Sequence, residues 1–169
     1  MIALSIAVRV AAVCLLGWLA LVDVRARRLP DGGVLTVALL FFADALATRM
    51  PLAAVGIHLG IAFAVYALCA LLFALKLLGG GDAKLAAALF LWAGPAMLLP
   101  MLTLISVTGT LVGLTSLATS GMEPAAHRGA LRALALFSGR RGVPYGVALA
   151  AGGGAAILLP AVLPFVLRH

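Results

Sequence analysis

Leu78-Gly79-Gly80-Gly81-Asp82-Ala83-Lys84-Leu85 decides how this chain folds: a glycine run, a carboxylate and a lysine stand at the head of an apolar stretch reaching to about residue 120. Holding an ionised carboxylate in a bilayer costs on the order of several kcal/mol, so an acid kept there points to function. Three consecutive glycines interrupt a helix and open backbone angles that other residues avoid. They also let a second backbone come close, as in the addition of an extended substrate strand. Read alone, Asp82 suits a helix N-cap equally well.

Working outward, the 169 residues are 65% hydrophobic and only 10% charged, with a mean hydropathy of +1.24. Soluble domains of this size carry far more charge. The chain therefore reads as an all-α, polytopic membrane protein, a single integral-membrane domain over residues 1–169. Six apolar segments approach spanning length: about 2–22, 33–48, 52–78, 84–100, 101–120 and 143–167. The run over 84–120 is too long for one crossing, and a break is placed near Pro100. Residues 2–22 read as a retained helix, because Arg9 falls inside the run and no A-x-A site closes it.

The net charge of +7 does not imply nucleic acid, since the basic residues sit in short loops between apolar runs. Nine of the twelve lysines and arginines fall in the first, third and fifth loops: Arg25, Arg27, Arg28, Lys76, Lys84, Arg128, Arg132, Arg140 and Arg141. Arg9, Arg49 and Arg168 fall to the other side. This bias makes those loops cytoplasmic and puts both termini outside. Asp23 and Asp82 then share the cytoplasmic face. Residues 125–136 of the fifth loop, after Met122-Glu123-Pro124, suit a surface amphipathic helix or a solvated loop.

Two carboxylates brought within hydrogen-bonding distance cannot both ionise easily, so the pair holds one proton between them. The ionised member can activate a water, and the protonated member can donate to a scissile carbonyl. No other constellation competes. His58 is mid-helix and isolated, His127 lies in a basic loop, and His169 is the last residue. Cys14 and Cys69 form no CxxC pair and read as small buried hydrophobes, so no metal is expected. Asp44 reads as an interfacial acid near Arg49, on the far side, and Asp31 and Glu123 as loop acids.

Asp23-x-Arg25-x-Arg27-Arg28-Leu29-Pro30 resembles the first aspartate motif, D-x-R-x-x-R-I-P-N, of the type IV prepilin peptidases. Gly79-Gly80-Gly81-Asp82-Ala83-Lys84 resembles their G-x-G-D-x-K motif, and Val143-Pro144-Tyr145-Gly146-Val147-Ala148 their P-Y-G-x-A stretch. The likeness covers nearly the whole chain, and its length is most like the short peptidases of tight-adherence (Flp) pilus systems. The resemblance implies a membrane aspartyl endopeptidase of the bacterial cytoplasmic (inner) membrane. It would remove the basic leader of prepilins or pseudopilins at the cytoplasmic face, with the substrate's apolar helix entering laterally from lipid.

Carried over by residue, Asp23 and Asp82 would be the catalytic pair, and Gly79, Gly80 and Gly81 would shape the substrate-binding loop. Lys84 would flank it in support; Arg25, Arg27 and Arg28 read as topology anchors that hold the first loop on anionic lipid, or as contacts to an acidic substrate residue. Asp31 stands where the family has Asn, and Leu29 where it has Ile. Longer members carry CxxC pairs near the first loop and methylate the new N-terminus. The short, cysteine-free loop here implies no zinc, no S-adenosylmethionine and no other cofactor. The presenilin branch of GxGD proteases fits less well, with Val22 before Asp23 and Pro160-Ala161-Val162 in place of P-A-L. The competing reading is a non-catalytic membrane scaffold or a small proton- or cation-coupled transporter, which should show inverted repeats and midplane charges.

Overall fold

The computed structural model describes residues 2–120 and 143–166. Within them lie five helices: α1 (Ile2–Ala26), α2 (Asp31–Ala47), α3 (Leu52–Ala74), α4 (Gly80–Ala118) and α5 (Tyr145–Val166). The fifth-loop segment 125–136, with Met122, Glu123 and His127, falls outside the described residues, as do Arg168 and His169. Three of the helices, α1, α3 and α4, are long and apolar enough to cross a membrane.

The expected break near Pro100 is not there. Pro100 lies inside α4, and the interruption falls at Gly94, whose φ of 55° and ψ of −164° leave the helical region. Unbroken, the 39 residues of α4 would run about 58 Å, nearly twice the ~30 Å hydrocarbon core. Gly94 instead folds the element back on itself. Along α5, Gly152 abuts Met101 and Ile105 from beyond the break, whereas Gly153 abuts Leu89 from before it.

The corner has a clear local cause. Pro95 has no N–H, so the carbonyl four residues earlier, Leu91 O, loses its helical donor. His58 of α3 supplies the replacement, its Nδ1 lying 2.7 Å from Leu91 O. A carbonyl only accepts, so Nδ1 carries the proton. The ring stacks on Phe41 of α2 at 5.2 Å and fills the space a side chain on Gly94 would need. His58 is thus not isolated: it closes the corner.

The core lies between α1, α2, α4 and α5. On α1 the buried positions are Ser5, Ala12, Leu16, Leu19 and Asp23, one stripe at helical spacing. Phe41 of α2 meets Trp92 of α4 edge-on, and the Trp92 indole N–H donates to Val37 O at 2.9 Å. By contrast, α3 has no buried residue. Large apolar side chains on the outside, such as Trp18, Leu52, Phe63 and Leu117, are what a bundle in lipid presents. Cys14 is also on the outside, not buried, and Cys69 is half-buried; both are free.

Asp44 is not an interfacial partner of Arg49. It is 2% exposed and pairs with Arg9 of α1, Arg9 Nη2 to Asp44 Oδ2 at 2.7 Å. Ser5 Oγ donates to its other oxygen at 2.5 Å, and Arg9 Nη1 donates to Ile157 O of α5 at 3.0 Å. Removing one member of such a buried pair strands the other, at a cost of roughly 3–5 kcal/mol. Asp44→Ala should therefore sharply lower the thermal midpoint in detergent. Replacing both charges, as Arg9→Met with Asp44→Leu, should recover most of it. Equal stability of Asp44→Ala and the parent would mean that the pair holds nothing together.

Candidate active site

Asp23 ends the buried stripe of α1, so the packing that seats Leu16 and Leu19 also turns its carboxylate inward. Its Oδ2 accepts a hydrogen bond from the backbone N–H of Gly146 at 2.9 Å. Gly146 is in the first turn of α5, where amides have no partner within their own helix. A carboxylate from α1 therefore caps α5, with the helix dipole favouring its charge. The approach requires glycine: a Cβ at position 146 would lie 2.8 Å from Asp23 Oδ2 and 3.0 Å from its Cβ and Cγ.

Asp82 occupies the first turn of α4, whose N-cap is Gly79 rather than Asp82 itself. Gly80 and Gly81 are already helical, and none of Gly79, Gly80 and Gly81 takes a positive φ. These glycines supply room rather than unusual backbone angles. A Cβ on Gly79 would sit 2.7 Å from Asp82 Oδ2, and one on Gly81 would press on Leu29 at 3.1 Å. The Asp82 carboxylate thus folds back over the start of its own helix.

Asp23 and Asp82 line one polar cavity of about 300 Å³, with Arg27, Arg28, Leu29, Asp31 and the three glycines. They are near enough for the charge of Asp23 to act on Asp82. Arg27 also acts on Asp23 through its charge. It ends α1 in the left-handed region, at φ 53°, with its N–H bonded to Asp23 O at 2.8 Å. The N-terminus of α4 lines this cavity, and that of α5 touches it only through the bond from Gly146 to Asp23.

The other expected site residues divide. Arg28 reaches the cavity wall, but Arg25 is exposed and does not line it. Lys84 does not line the cavity itself but forms an exposed ion pair at 2.8 Å with Asp31, which does. Asp31 is no loop acid: it opens α2 directly after Pro30. Gly146 was legible only as part of a motif, and nothing local in the sequence pairs it with Asp23, 123 positions away. Among the described residues, no three His, Cys, Asp or Glu side chains group as a metal site.

Residues 10–114, spanning both aspartates, match the type IV leader peptidase family. The chain belongs to that family. No curated protein and no solved structure matches it. As a type IV leader peptidase the chain is a peptidase with prepilin-type substrates, and its apolar helices accord with a multi-pass membrane protein. The stretch with Gly146 lies beyond the matched residues, so its contact with Asp23 is an observation made independently of that match.

Proposed function

We propose that the protein is a membrane aspartyl endopeptidase that removes the basic leader of Flp-type prepilins or pseudopilins, with Asp23 and Asp82 as its catalytic pair. The observation that carries this is the shared polar cavity, which joins two carboxylates 59 positions apart in sequence. In this reading the ionised carboxylate takes a proton from a water, whose oxygen attacks the scissile carbonyl carbon. The protonated carboxylate donates to the carbonyl oxygen. The tetrahedral intermediate then collapses, the C–N bond breaks, and the departing amine takes up a proton. No covalent intermediate is needed.

The hydrogen bond from Gly146 occupies one oxygen of Asp23 and leaves the other for water. The positive-inside bias of the sequence supports a cytoplasmic active site in the bacterial inner membrane, with both termini outside. Counting α4 as two segments about Gly94 supports six crossings within one domain. Supporting roles for Gly79, Gly80, Gly81 and Arg28 fit their place on the cavity wall, whereas Arg25 and Lys84 would act only from its surroundings. The transporter reading gains nothing, because the charged pair at the other end, Arg9 and Asp44, is closed by its own partners.

Co-expression with a Flp-type prepilin, read as a mobility shift, tests the proposal. The parent should cleave, and Asp23→Asn should leave the precursor whole while inserting normally. Failure of the parent on a panel of prepilins and pseudopilins would overturn the reading.

A further inference from the structure

A second cavity, about 350 Å³, lies between α3, α4 and α5. Its walls include Cys69 and Leu72 of α3, Ala86, Phe90 and Ile105 of α4, and Leu149 of α5. Among the described residues, Asp82 is its one charged lining residue and the one it shares with the polar cavity. Asp82, Ala86 and Phe90 follow at four-residue spacing, so one face of α4 leads from the carboxylate into the apolar space.

We propose that this cavity receives the first turns of the substrate's apolar segment, just after the scissile bond, and selects substrates by their large apolar side chains there. The inference rests on the proposed peptidase reading and deepens it. A peptide bond held at Asp82 has the polar cavity on one side and the apolar cavity on the other. A chain crossing that point must change from polar to apolar character at the bond that is cut. The volume, at the small end of the ~300–1,000 Å³ usual for ligand pockets, admits a few large side chains from one helical face rather than a whole helix.

The α3 wall belongs to the one described helix with no buried residue, so it is the side on which an apolar segment in the bilayer can approach. A lipid acyl chain would fill the same walls but would bring no polar group to Asp82. The proposed occupant accounts for both ends of the cavity.

The test uses Cys69, since Cys14 and Cys69 are the protein's two cysteines. In full-length Cys14→Ser protein made inactive by Asp23→Asn, Cys69 is the sole thiol. Prepilins carrying a single cysteine, stepped through the leader and the first turns of the apolar segment, are added and oxidised. Disulfides should form at positions three or four apart after the cut, and none should form from the leader. In the otherwise unaltered enzyme, Ala86→Phe fills the cavity. Cleavage should fall about 10–100-fold and recover when the cross-linked substrate residue is made alanine.

Cross-links confined to the leader, or absent while the parent cleaves, overturn the docking inference alone. So does Ala86→Phe cleaving at the parental rate, which would leave the cavity to lipid. A parent that cleaves no prepilin or pseudopilin overturns the peptidase reading, and the inference falls with it.

Discussion

Asp82→Asn should leave a co-expressed prepilin uncut, a loss of about 10³–10⁴-fold or more, while the protein still accumulates in the membrane. The substitution keeps the side chain's shape, so the clearance over Gly79 and the first turn of α4 are preserved. What it removes is the capacity to exchange a proton. An amide can neither take a proton from water nor hand one to a carbonyl oxygen. Removing charge from a half-buried position also relieves a desolvation cost, so unfolding in detergent should occur at the parental temperature or above. Inactive but stable protein separates loss of chemistry from loss of fold. Cleavage near the parental rate in this variant would rule out the carboxylate pair as the catalyst.

Gly146→Ala should lower cleavage by about 10²-fold or more, through a residue that does not itself line the polar cavity. An added methyl group meets Asp23 at Oδ2, Cγ and Cβ, all at 3.0 Å or less. Rotating the carboxylate relieves only the outer contacts, because Asp23 Cβ is fixed to α1. The helices must move apart instead, and a displacement near 1 Å at a reacting group is enough for a loss of that size. Gly79→Ala is the informative contrast: there the close contact is with the far end of Asp82, which can swing aside.

If Gly146 acts through Asp23, the stability lost in Gly146→Ala should shrink in an Asp23→Ala background, where the crowded carboxylate is gone. Full additivity of the two substitutions, or undiminished cleavage by Gly146→Ala, would show that the close contact does not position the carboxylate.

The candidate site was largely legible because its signals are local. Asp23 stands beside its arginines and Asp82 beside its glycines, and hydropathy alone places both at helix ends. What stayed hidden depends on packing between distant segments. The partnership of Arg9 with Asp44 joins positions 35 apart, and within an apolar run each looks like a stray charge. The corner in α4 had a local sign, since a Gly-Pro pair suits a break with proline opening the next helix. Pro100 carried the same weight in a hydropathy profile, and no local feature shows that His58 would compensate Pro95. The pairing of Lys84 with Asp31, 53 positions away, was hidden as well, because adjacency to Asp82 says nothing about which side of the helix Lys84 occupies.

The Arg9–Asp44 pair also bears on how the protein enters the bilayer. When α1 emerges, it carries a guanidinium whose carboxylate is still inside the ribosome, at a cost of up to about 2.5–3.5 kcal/mol, the figure for a helix centre. Only when α2 follows does Asp44 arrive, so lipid favours transferring α1 and α2 together, as a hairpin with its charges already matched. Arg9 Nη1 waits for Ile157 O, which arrives only with α5. Closure of this buried network therefore needs α5 as well as α1 and α2, and without α5 a guanidinium donor of Arg9 is left facing an open, polar seam.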